Sequence, residues 1–121
     1  MIRASISILL AFSLGACSML PPEPQQGSSG AADTLLAQAN IKAANGETLQ
    51  AIATLERAVR LQPRNAEAWL RLAELYLEQG EYRKAEQFAG RAQQFAAGNQ
   101  QLLRRSQAVI KQASERQREL G

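Results

Sequence analysis

The stretch that decides the fold is 66–99, AEAWLRLAELYLEQGEYRKAEQFAGRAQQFAAGN. Slid back by 34 residues, it overlays 32–65, ADTLLAQANIKAANGETLQAIATLERAVRLQPRN. Ala39 then falls on Ala73, Gly46 on Gly80, Glu47 on Glu81, Ala51 on Ala85, Arg57 on Arg91 and Ala58 on Ala92. Self-similarity at such a period marks a stack of equivalent units, each too small to bury its own apolar face. Both units read as a pair of helices with a glycine between them. The spacing predicts helices over 33–45, 48–61, 66–79 and 82–96. Gly46 and Gly80 suit the left-handed residue that ends a helix. Pro63 cannot continue one, and Asn65 is an N-cap for the next.

The residues at each step of the period resemble those of the tetratricopeptide repeat (TPR), a 34-residue helical hairpin. In the second unit Trp69, Leu72, Ala73, Tyr76, Gly80, Tyr82, Ala85 and Ala92 stand at its signature positions. In the first, Leu35, Ala39, Gly46, Ala51, Leu55, Ala58 and Pro63 do so. Gln38, Lys42 and Thr48 depart from the pattern in the first unit, and Ala89 and Ala97 in the second, where Phe88 lies one residue early. The small alanines let the helices of a pair approach closely, while Trp69, Leu72 and Tyr76 fill the space between pairs. Trp69 and Tyr76 are therefore expected in the core rather than against a ligand.

After Gly98-Asn99, a stop followed by a cap, a further helix is predicted over 100–118. Leu102, Leu103, Ser106, Val109, Ile110 and Ala113 form one stripe on it at helical spacing. A repeat stack needs such a terminal helix, one face apolar and the other polar, to close its core. The expected fold class is all-α: a TPR-type helical hairpin stack of two repeats plus a C-terminal capping helix, in a right-handed superhelix.

Upstream of the repeats the composition changes. Arg3 precedes an apolar run at 6–16, ISILLAFSLGA, of eleven residues. That is too short for a membrane span of roughly 20 residues and fits the apolar region of a signal peptide. The run ends in Leu14-Gly15-Ala16-Cys17, which resembles the bacterial lipobox. The resemblance implies a signal peptide over 1–16, cleavage before Cys17, and diacylglyceryl and N-acyl chains on that residue. Several acyl chains, each contributing about 0.8 kcal/mol per buried methylene, make an effectively permanent anchor. Ser18 is not the aspartate that favours inner-membrane retention, so the expected location is the outer membrane of a Gram-negative cell, facing the periplasm. Residues 17–31, with Pro21, Pro22, Pro24, Gly27 and Gly30, read as the lipidated cysteine and a linker, leaving 32–119 as the TPR domain.

Composition excludes several functions. The chain has no histidine and one cysteine. No Ser–His–Asp or Cys–His catalytic group, His- or Cys-based zinc site or internal disulfide can be assembled from it. The net charge of +3 falls to +2 without Arg3, because 13 basic and 11 acidic side chains remain. Over 32–97 eight basic residues cancel eight acidic ones, and over 98–121 five basic residues face two acidic ones. Nucleic-acid binding would need a denser basic patch with stacking aromatics. No paired-carboxylate cleft is indicated. The expectation is a protein that is not an enzyme, with no metal, no cofactor beyond the lipid, and no small-molecule substrate.

In TPR domains the concave face is lined by the first helix of each pair. By repeat position this implies a protein-binding groove of Leu36, Asn40 and Ala43 on the first helix and Leu70, Glu74 and Leu77 on the third. Arg104, Ala108 and Lys111 of the last helix are expected to complete it. Asn40 stands where chaperone-binding TPR domains place a carboxylate-clamping asparagine, but their accompanying lysines are absent, so no such clamp is expected.

Residues from Pro63-Arg64-Asn65 through Trp69, Gly80, Tyr82 and Ala85-Glu86 to 96–102 also resemble small TPR lipoproteins, among them Lpo-type activators. Those stimulate bifunctional peptidoglycan synthases, the class A penicillin-binding proteins. The resemblance implies a membrane-anchored periplasmic adaptor that regulates such a synthase. The short tether argues against a partner anchored in the inner membrane, and the alternative is a pilotin-like assembly factor for an outer-membrane secretin or type IV pilus machine, whose target would lie within the tether's reach.

Overall fold

A computed structural model describes residues 27–121. The expected signal peptide over 1–16, the lipobox-like residues and Cys17 lie outside them. Among the described residues there are five helices and no strand: α1 (Gly27–Ala44), α2 (Thr48–Leu61), α3 (Ala66–Glu78), α4 (Tyr82–Gln94) and α5 (Gln100–Leu120). α1 packs on α2, α3 on α4, and α2 on α3, while α5 closes the stack against both α3 and α4. This is the two-hairpin TPR-type stack with a terminal helix.

The two hairpin turns are the same device 34 residues apart. At the end of α1, Gly46 N–H donates to the Ala43 carbonyl (3.0 Å) and Glu47 N–H to that of Lys42 (2.9 Å). At the end of α3, Gly80 N–H donates to Leu77 (3.1 Å) and Glu81 N–H to Tyr76 (2.9 Å). Both glycines have positive φ, 80° and 77°. This bonding pattern satisfies carbonyls that the helix end would leave bare. α3 and α5 start alike: the Asn65 side chain accepts from Ala68 N–H and that of Asn99 from Leu102 N–H, both at 3.0 Å. Where the repeat usually carries proline, Ala97 has φ 49°, followed by Gly98 at 81°. Proline, held near −65°, cannot adopt that conformation.

Ala39, Ala51, Ala58, Ala73, Ala85 and Ala92 are wholly buried, so the helix pairs meet backbone to backbone as their small size requires. Leu55, Leu70, Leu72 and Leu75 fill the volume around them. On α5 the buried stripe is Leu102, Ser106, Val109 and Ala113, with Leu103 and Ile110 half-buried beside it. Burying Leu102 and Val109 contributes about 1.5–3 kcal/mol each. The Ser106 hydroxyl returns to the Leu102 carbonyl at 2.9 Å, so its burial leaves no polar atom without a partner.

α1 departs from expectation by beginning at Gly27 rather than 33, which makes 27–31 helix instead of linker. Burial of Ala32 and Leu35 pins the helix from that point on. Extending an existing helix avoids the cost of nucleation, so even weak formers follow. Thr34 Oγ1 adds a bond to the Gly30 carbonyl at 2.8 Å.

Candidate protein-binding site

Helix α3 presents two opposite faces, set by its repeat of about 3.6 residues per turn. Successive turns bring Glu67, Leu70, Arg71 and Glu74 onto one face; Trp69 and Tyr76 lie on the other.

The first face is crossed by a chain of polar contacts linking α1, α3 and α5. Arg71 Nε donates to Asn40 Oδ1 at 2.8 Å, and Arg71 Nη1 lies 3.1 Å from Glu74 Oε2. Arg105 spans the face from α5, with Nη1 2.8 Å from Glu67 Oε1 and Nη2 2.8 Å from Glu74 Oε1. Partial burial works to lower the Arg105 pKa, but hydrogen bonds to Glu67 and Glu74 and their charges outweigh it and hold the guanidinium above its ordinary value.

This geometry sorts the residues expected in the groove. Asn40 is exposed and tied to Arg71, and Glu74 is held between two arginines. Leu36, Ala43 and Leu77 are half-buried against the core. Leu77 also lines a hollow of about 350 Å³ with Glu78, Tyr82, Gln112 and Arg116.

Leu70 is a correction: it has no exposed surface. It sits one turn from each of the carboxylates that Arg105 bridges, so it belongs to the core and not to a contact surface. Arg104 and Lys111 take no part in this chain of polar contacts. On α5, Arg105 reaches α3 while Gln107 accepts from Gln93 of α4 at 3.0 Å. Arg104 and Lys111 are exposed on the side of α5 away from its buried stripe. Ala108 is exposed at the margin of that side.

Sequence reasoning passed over Glu67, Arg71 and Arg105. The carboxylate–cation–carboxylate spacing of Glu67, Arg71 and Glu74 was visible in the sequence. The partner of the pair, 31 and 38 residues away, was not.

The opposite face of α3 is aromatic. The Phe88 ring centroid lies 5.5 Å from that of Trp69 and 5.3 Å from that of Tyr76, so Phe88 packs against both rings. Tyr76 is buried as expected, whereas Trp69 is only half-buried, its indole N–H donating to the Pro63 carbonyl at 2.7 Å. Tyr76 donates to Glu56 of α2 at 2.9 Å. Burial foremost, then the bond to Glu56 and the charges of Glu56 and Glu81, push the Tyr76 phenol up to about 12. Cations stand over these rings: Arg91 over Trp69 at 5.7 Å, Arg64 over Phe95 at 5.7 Å, and Lys84 over Tyr76 at 5.1 Å.

Neither face converges acids on a cleft, and among the described residues no cluster of three His, Cys, Asp or Glu is placed to hold a metal. What both offer is side-chain surface on rigid helices. A tetratricopeptide-repeat family profile matches residues 42–110, more than half of the chain. This chain belongs to the tetratricopeptide-repeat family. As a TPR protein it is a protein-interaction domain in type, the repeat serving as scaffold for a recognition surface. The globular C-terminal domain of P. aeruginosa LpoP is similar in structure, with a TM-score of 0.69 and 36% sequence identity over 73% of this chain and 83% of that one. The Lpo-type resemblance carried by residues 63–102 is thereby met. Curated proteins give no match. Among the described residues of this TPR protein, no helix is long and apolar enough to cross a membrane.

Proposed function

We propose that this chain is a lipid-anchored periplasmic adaptor of the outer membrane that binds a class A penicillin-binding protein and regulates its peptidoglycan synthesis, with no chemistry of its own. The observation that carries the reading is the 36% identity to the LpoP domain across 83% of that domain. Lpo-type proteins stimulate such synthases, and a two-repeat stack suits binding without turnover. Diacylglyceryl and N-acyl groups on Cys17 would supply the anchor.

The test is direct. Purified full chain, titrated into a class A synthase, is expected to bind it and to raise the rate of glycan polymerisation. A synthase whose rate and sedimentation are unchanged by excess of the chain contradicts the proposal. Cys17→Ser is expected to release the chain from membranes; unchanged fractionation refutes the anchor.

One observation favours a second reading, a pilotin-like factor for a secretin. With α1 starting at Gly27, nine residues separate Cys17 from the helix. Nine residues span at most about 30–32 Å. That tether favours a target close to the outer membrane, whereas a class A synthase has to reach outward from the inner membrane. Co-purification of the full chain with a secretin and not with a synthase selects this second reading.

A further inference from the structure

Helix α4 turns one side to α5, through Gln93 and Glu86, which meet Gln107 and Gln117. Lys84, Phe88, Arg91 and Phe95, spaced by four, three and four, share a different side. That side meets the aromatic face of α3. Its two ends differ in charge. Around Tyr76 the cation Lys84 has Glu56 and Glu81 for company. Around Trp69 and Phe95 stand Arg64 and Arg91, and Arg60 lies one turn beyond Glu56 on the same side of α2. Among the described residues none of these three arginines forms an ion pair, although Arg71, Arg105 and Arg116 do. Beside them a cleft of about 390 Å³ is lined by Arg64, Gln94, Phe95 and Ala97.

We propose that the Arg60–Arg64–Arg91 end of this aromatic face docks an acidic segment of a partner protein, carboxylates on the arginines and a neighbouring apolar side chain in the cleft at Phe95. It deepens the protein-binding reading above and does not depend on which protein the partner is. A guanidinium stacked on a ring keeps its edge donors free, and stacking holds them in place for a planar carboxylate. The opposite face of α3 is unsuited to the same task, because its carboxylates already occupy Arg71 and Arg105. An anionic membrane fits less well: insertion needs projecting rings, and here Trp69 is half-buried with its N–H bonded internally. Nucleic acid would need open ring faces for stacking, and these carry cations.

Trp69 is the single tryptophan of the chain and reports on this site. The full chain, held in phosphatidylcholine nanodiscs, is titrated with a synthetic peptide of Glu-Glu-Leu repeats while Trp69 emission is followed. A saturable change is expected, with affinity weakened about tenfold by R64Q/R91Q, further by R64E/R91E, and also by added salt. R104E/K111E, on the far side of α5, is expected to bind as the parent does. Circular dichroism checks that each variant is folded. No response to the acidic peptide up to about 1 mM, the weak limit of specific binding, overturns the proposal. So does an equal response to a Gln-Gln-Leu peptide, or an emission change produced by phosphatidylglycerol discs without peptide, which would assign the face to lipid. A synthase stimulated as strongly by R64E/R91E as by the parent removes this site and leaves the regulatory function standing; a parent chain that binds the acidic peptide but stimulates no synthase does the reverse.

Discussion

Replacing Arg105 tests how the terminal helix is fastened. Its guanidinium ties α5 to α3 through Glu67 and Glu74, at 2.8 Å each. The side chains are 38% exposed for Arg105, 42% for Glu67 and 23% for Glu74, so solvent screens both pairs substantially. Exposed pairs contribute about 0.2–1 kcal/mol each, which puts the charge contribution at about 1 kcal/mol in sum. R105M keeps most of the aliphatic stem and removes the charge; R105A removes both and is expected to cost about 2 kcal/mol. Urea unfolding followed by helical circular dichroism measures each change. Two further outcomes are specific to the geometry. The cost of R105M should shrink at about 1 M salt, where the screening length falls to about 3 Å. It should also vanish when Glu67 and Glu74 have first been changed to glutamine, as a coupled network requires. A cost of R105M that persists undiminished in the E67Q/E74Q background refutes the assignment of this contact as electrostatic.

Other parts of the structure make their own claims. Tyr76 is raised from 10.0 to about 12 in the folded chain. Its contribution is therefore complete below pH 10 and is lost as pH rises from 10 towards 12, because there the unfolded chain releases the proton and the folded one retains it; the full span is about 2–3 kcal/mol. Y76F should flatten stability over that window, read by urea unfolding at stepped pH. G80A has space for its Cβ, whose nearest contact is the Tyr82 hydroxyl at 3.9 Å, so its cost of about 1 kcal/mol comes from the positive φ alone. Asn99→Ala removes the bond to Leu102 N–H and should cost about 1 kcal/mol, with amide exchange quickening first in the opening turn of α5.

Most of the fold was legible because it rests on local rules repeated at one period. Gly46 and Gly80 mark the turns, buried alanines mark the helix contacts, and Asn65 and Asn99 mark the starts, each decided within a few residues of itself. The candidate site was legible only in part, for reasons of phase and distance. One residue along α5 turns the side chain by about 100°, so Arg105 meets α3 and Arg104 does not. Leu70 falls at a groove position by repeat count, yet α5 packs on α3 and Arg105 bridges the carboxylates on either side of it. The early start of α1 is not legible in the sequence because Gly27 and Gly30 are poor helix formers read alone. By repeat position Trp69 and Tyr76 belong to the core, and only the half-burial of Trp69 and the arginines beside it show a surface there.

Hydrogen exchange of the full chain, alone and with a class A synthase in excess, bears most directly on the claim that this stack works by binding protein on its helix surfaces. Slowed exchange is predicted in 60–64 and 84–95, with 33–44 and 104–112 unchanged. Exchange identical with and without the synthase throughout 27–121 would contradict the claim, and protection confined to 33–44 and 104–112 would move the binding surface to the opposite face.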